Sequence, residues 1–180
     1  MKQKAKYEYD YERPALATDC AIFGIDGGEL KLLLVERENE PFKNKWALPG
    51  GFVFMDETTE ASAKRILLEK AGLKNVFIEQ LYTFSEVDRD PRERIVSVSY
   101  FALVNKHQFE LIAGRDTVKA EWFELSNLPK LAFDHGKIVK MAIQRLKGKV
   151  SYQPIGFELL AEKFTLSQLQ TVYESILEVS

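Results

Sequence analysis

Residues 48–57 read Leu48-Pro49-Gly50-Gly51-Phe52-Val53-Phe54-Met55-Asp56-Glu57, and residues 65–73 read Arg65-Ile66-Leu67-Leu68-Glu69-Lys70-Ala71-Gly72-Leu73. The paired glycines let the backbone turn tightly ahead of a helix. That helix is predicted over Thr59 to Ala71 and is closed by Gly72. Arg65 follows Glu57 on the incoming loop and precedes Glu69 by one helical turn, so one guanidinium can pair with either carboxylate. The simplest role for these charges is to brace a loop-helix-loop element.

On the N-terminal side, two apolar runs, Ala21 to Ile25 and Leu30 to Val35, flank Asp26-Gly27-Gly28. They predict a hairpin between Ala15 and Arg37, with the glycines supplying the positive φ of its turn. On the C-terminal side, Val76 to Phe84 and Ile95 to Val104 predict a further strand pair, and Lys119 to Leu125 one more strand. A helix is predicted over Asp134 to Lys147 with Gly148 as its stop, and another over Thr165 to Leu177. Asp134 is read as the capping residue of the first of these, with His135 its neighbour. The pattern is α+β: a mixed sheet with helices, then an all-helical tail.

The composition of 46% hydrophobic and 29% charged residues in 180 is that of one globular domain, or one domain with a small appendage. No apolar run approaches the ~20 residues that cross a bilayer. The N-terminus lacks the apolar stretch of a secretory signal, and Cys20 stands alone. A soluble, cytoplasmic protein is expected. The net charge of −2 does not advertise nucleic acid. Charge is nonetheless uneven. Lys137, Lys140, Arg145, Lys147 and Lys149 form a basic run, read as a solvated helix face, and the segment from Ser151 onward is acidic.

A boundary is expected near Lys147 to Pro154, dividing residues 1–150 from 151–180. The second part carries more apolar side chains than one helix and a turn can bury, so either something is missing or it packs on the main domain or on a partner chain. Thr165 with Gln168 forms a capping box for its helix.

The stretch from Gly51 to Leu73 resembles the Nudix box, with Gly51, Glu57, Arg65, Leu67, Glu69, Gly72 and Leu73 in register over 23 positions and Trp46 and Leu48-Pro49-Gly50 ahead of it. The resemblance implies a Nudix α/β/α sandwich. It also implies a Mg²⁺- or Mn²⁺-dependent hydrolase of nucleoside diphosphate derivatives, in which three glutamates on one helical face hold the cation. Here those positions are Ile66, Glu69 and Lys70. An isoleucine offers no oxygen and an ammonium repels a cation, so no catalytic residue, no metal and no cofactor is expected. The competing reading is an ADP-ribose or nucleotide-sugar pyrophosphatase with a divergent box, using a base such as Glu86 or Glu93.

From about residue 15 to the end, including Leu131-Ala132-Phe133-Asp134-His135 and Phe164-Thr165-Leu166-Ser167-Gln168-Leu169-Gln170, the chain is similar to the Nudix-related transcriptional regulators. That resemblance implies an effector-binding domain that dimerises, followed by the start of a winged helix-turn-helix whose full form binds DNA. The effector would be a sugar, a sugar phosphate or ADP-ribose. Trp46, Gly51, Phe52 and Glu69, with Arg89, Arg92 and Arg94 of the charged loop, are the expected ligand contacts; planar guanidinium groups suit phosphate or sugar hydroxyls.

Overall fold

The computed structural model describes residues 7, 9–26, 28–151 and 165–177. Seven strands form one mixed sheet: β1 (Ala15–Asp26), β2 (Glu29–Arg37), β3 (Trp46–Ala47), β4 (Gly50–Phe52), β5 (Glu79–Phe84), β6 (Ile95–Val104) and β7 (Thr117–Glu124). β1 is its centre. One edge runs parallel to β6 from Ala15↔Ile95 to Gly24↔Val104, and β5 pairs antiparallel beyond β6. The other edge divides. Its second half pairs with β2 from Phe23↔Leu32 to Asp26↔Glu29, whereas its first half pairs with β4 at Ala17↔Phe52, Thr18↔Gly51 and Asp19↔Gly50. β2 in turn binds β3 at Val35↔Ala47 and β7 along its far edge. The two central strands therefore splay apart, and residues 46–52 wedge between them.

Alternation along β1 and β2 builds two cores. Cys20, Ile22 and Leu33 face α1 (Thr59–Ala71) through Ala63, Leu67 and Ala71. Ala21, Phe23, Leu32 and Leu34 face α2 (His135–Val150) and α3 (Leu166–Leu177) through Ile138, Ala142, Leu146, Val172 and Ile176. The result is the expected α/β/α sandwich. No helix among the described residues is long and apolar enough to cross a membrane.

The predicted hairpin and the strand Ile95 to Val104 are present, with Gly28 at φ 83° in the turn. The strand predicted from Val76 begins only at Glu79, and that predicted over Lys119 to Leu125 runs from Thr117 to Glu124. The helix after the box starts at an N-cap, Thr58, whose hydroxyl accepts from the Ala61 N–H, and ends on Gly72 in the left-handed region. Gly148 does not stop α2, which continues to Val150; a glycine inside a helix costs about 1 kcal/mol and does not by itself break it. Asp134 precedes α2 but makes no capping bond with its side chain, because Arg89 holds its carboxylate. The basic run is not simply a solvated face. Lys149 is buried and pairs with Glu79, Lys137 pairs with Glu86 at 2.8 Å, and Arg145 donates to the Leu81 carbonyl at 3.1 Å. Residues 152–164 and 178–180 lie outside the described residues, as does the side chain of Gln168, so the capping box is not part of this description.

Candidate functional site

The wedge between β1 and β2 leaves a cavity of about 260 Å³. Its floor is a buried charge network. Asp19 of β1 accepts from Ser97 Oγ at 2.6 Å and from Arg89 Nη2 at 3.3 Å, and its other oxygen lies 3.4 Å from His135 Nε2. Arg89 also donates through Nε and Nη2 to both oxygens of Asp134, at 3.0 and 2.7 Å. His135 Nδ1 accepts the Leu48 N–H at 2.9 Å, which assigns the ring proton to Nε2, facing Asp19. Burial alone would raise the Asp19 carboxyl; His135, Ser97 and Arg89 together reverse that and hold it well below the usual carboxylate range. The backbone comes close here because Gly50 of β4 carries no side chain: a Cβ there would sit 2.0 Å from Asp19 Oδ1.

The wall made by the box is a second network. Arg65 binds Glu57 in a fork, Nε to Oε2 at 2.9 Å and Nη2 to Oε1 at 2.6 Å, and reaches Glu69 at 3.2 Å and the Phe52 carbonyl at 3.0 Å. Its guanidinium lies 3.9 Å from the centre of the Phe54 ring. Glu57 also receives the Phe54 N–H at 2.8 Å. The Arg65 hydrogen bonds, against a smaller burial effect, hold the Glu57 carboxyl at about 2. Both acids are thus bracing residues.

The box does not fit a divalent cation. Ile66 is wholly buried, with its methyl end against Gly51, and Lys70, whose side chain carries an ammonium and no oxygen, lines the cavity. Glu57 and Glu69 are engaged by Arg65, and no cluster of three or more metal-ligating side chains occurs among the described residues.

Gly51, Phe52, Glu69, Arg89 and Arg92 all line the cavity. Arg92 binds Asp90 through Nε and Nη2 and faces the rings of Phe52 and Phe133 at 5.3 and 5.6 Å. Trp46 and Arg94 do not reach it. Trp46 packs edge-on against Phe123 in the α2-side core, and Arg94 donates to the Ser85, Glu86 and Ile95 carbonyls. Other lining residues come from parts of the sequence not singled out as ligand contacts, among them Asp19, Arg37, Phe133 and His135. The signal was faint. Asp19 is an acid in an apolar strand, and Arg37 ends the next one. Phe133 holds a left-handed backbone at φ 52°, a strained conformation of the kind that collects at functional sites.

A mixed sheet opened by a glycine-rich wedge, with the box helix on its wall, is the architecture of the Nudix proteins, and the NUDIX domain matches residues 13–142; this chain belongs to that family. Residues 156–180 match the NrtR DNA-binding winged helix domain, which places the chain beside the regulators of the family. It is 41% identical to the ADPR responsive transcriptional repressor NtrR of Acinetobacter baylyi, over 93% of this chain and 68% of that one. It is 45% identical to the ADP-ribose pyrophosphatase of Methanocaldococcus jannaschii over 72% and 73%. Among solved structures it resembles Shewanella oneidensis NrtR complexed with a 27mer DNA, with a TM-score of 0.79 and 37% identity over 90% of this chain and 75% of that one. It also resembles that protein's NUDIX domain complexed with ADP ribose, with a TM-score of 0.70 and 34% identity over 78% and 94%.

Proposed function

We propose that this chain is the sensing part of an ADP-ribose-responsive transcriptional regulator: it binds the effector in the cavity between β1 and β2, does not hydrolyse it, and passes its occupancy to a winged-helix segment that begins within residues 151–180. The observation that carries the non-hydrolytic reading is the box itself, where Ile66 and Lys70 stand at two of the three ligand positions and Arg65 engages the third, Glu69. The effector class follows from the relatives, since a repressor responsive to ADP-ribose and an enzyme that cleaves it are both similar to this chain. DNA binding by the whole protein, a homodimer that mirrors a two-fold operator, and a cytoplasmic location belong to the same reading.

The rival is a pyrophosphatase with a divergent box, favoured by the similarity to the Methanocaldococcus enzyme. Product analysis decides between them. The purified chain with ADP-ribose and Mg²⁺ or Mn²⁺ is expected to give no AMP above background, while isothermal titration shows binding. Turnover of ~1 per second or more, ordinary for an enzyme, would replace the regulator by the hydrolase.

A further inference from the structure

Most cations around the cavity are already engaged by carboxylates. Arg65 is held by Glu57 and Glu69, Arg89 by Asp134 and Asp19, Arg92 by Asp90, and Arg115 lies 3.6 Å from Asp116. Two are not. Arg37 donates Nε to the Pro41 carbonyl at 2.9 Å and Nη2 to the Asn39 carbonyl at 3.3 Å, and its guanidinium lies 4.9 Å from the centre of the Phe133 ring. These contacts fix the group and leave three of its five N–H donors unspent. The Lys70 side chain makes no hydrogen bond and no ion pair among the described residues, although it is half-buried on the cavity wall.

Burial pushes the Lys70 ammonium down, and Arg37 and Arg115 push the same way against Asp116 and Asp19. Arg37 is likewise depressed by burial first and by Arg92 next, against Asp90, Asp116 and Asp19. Like charges in one partly desolvated space repel, and an entering anion would relieve both that repulsion and the cost of burial. Lys70 also occupies the position where the box would offer a carboxylate to a metal ion. A carboxylate there would recruit a cation to meet phosphate oxygens; an ammonium there can meet them directly, as a point charge beside a planar donor fork.

From this we infer that Arg37 and Lys70 form a metal-independent subsite for a phosphate or diphosphate group, with Lys70 supplying the charge that the box would otherwise take from a divalent cation. The inference rests on the cavity being the effector site and adds to that reading how the anion is held. The cavity, at about 260 Å³, lies near the lower end of small-molecule sites, so it suits the charged part of a nucleotide-sized ligand rather than the whole.

The test is isothermal titration of the 180-residue chain with ADP-ribose, inorganic pyrophosphate and ribose, each in EDTA and in Mg²⁺. ADP-ribose is expected to bind with affinities that agree within about twofold between EDTA and Mg²⁺, pyrophosphate to bind in EDTA, where no Mg²⁺ sequesters it, and ribose to bind much more weakly. Lys70→Gln and Arg37→Gln should each weaken pyrophosphate at least tenfold, and Lys70→Arg should retain most of the affinity; circular dichroism checks that each variant is folded. If ADP-ribose binds only with Mg²⁺, or binds Lys70→Gln and Arg37→Gln as tightly as the parent, the subsite is wrong and the effector reading stands. If pyrophosphate binds in a Lys70-dependent way but ADP-ribose does not, the effector reading fails and the subsite stands. Absence of binding by both phosphates overturns the subsite outright. The EDTA comparison uses the unaltered chain, so a variant that fails to fold does not remove the test.

Discussion

Glu57 shows how one residue of the box changes meaning when its neighbours change. Its two oxygens accept from Arg65 and from the Phe54 N–H, and its carboxyl sits at about 2 instead of the ordinary 4.5. A carboxyl depressed on folding contributes stability that is fully present above 4.5 and is lost as the pH falls through about 2. Glu57→Gln should therefore be less stable than the parent at neutral pH, and the two should converge as urea midpoints are followed from pH 5 towards 2. A gap that stays constant over that range would mean the carboxylate charge contributes nothing. This brace was legible in the sequence because its partners lie within one turn of a helix or on the loop that feeds it. The Asp19–Arg89–Asp134 chain was not legible: Arg89 is 70 residues from Asp19 and 45 from Asp134, and only the parallel β1–β6 register brings that loop under the wedge.

Glycines make the same point at the scale of elements. Gly50 and Gly148 look alike in a sequence, as candidate breaks, yet the structure gives them opposite duties. A Cβ at Gly50 would fall 2.0 Å from Asp19 Oδ1 and 3.2 Å from the Thr18 carbonyl, so Gly50→Ala must push β4 off β1 or disrupt the buried network. Gly148 lies inside α2 with nothing within 4 Å of where a Cβ would be. Gly148→Ala should raise stability by roughly 0.5–1 kcal/mol through helix propensity, and Gly50→Ala should lower it by several times that, on the scale of a disrupted buried ion pair, ~3–5 kcal/mol. Thermal unfolding of the two variants beside the parent checks both signs; equal effects would refute the close approach of β4 to Asp19. The longer elements could be read because periodicity and caps extend over many residues. β3 and β4, at two and three residues, are too short for any periodicity to show, and they exist because the splayed edges of β1 and β2 need backbone partners. The cavity between those strands was illegible for the same reason.

At the scale of the whole molecule, α2 joins the two ends of the proposed signal. Its first turn carries His135 against Asp19 beneath the cavity, with Asp134 just ahead of it held by Arg89, and its body carries α3. Part of the tail's apolar surface is covered within this chain: Val172 and Ile176 are 1% exposed in the α2-side core, whereas Leu166 and Leu177 stay 83% and 50% exposed. Ser175 also donates to the Gly28 carbonyl, and Thr171 Cγ2 lies 3.0 Å from where a Gly28 Cβ would be, so the β1–β2 turn and α3 are fitted to each other. The anchor is nonetheless small. Removing most of a buried isoleucine costs about 2–5 kcal/mol when the surroundings cannot relax, and a helix held by two fully buried side chains can avoid that cost by undocking. Ile176→Ala is therefore expected to abolish hydrogen-exchange protection in residues 166–177 while the amides of β1 and β6 keep theirs, as a locally opening unit does. Loss of protection in β1 in step with α3 would show instead that the helix is part of one cooperative core. In that case occupancy of the cavity could not reach the C-terminal segment by releasing or seating α3, and α2 would have to move as a whole.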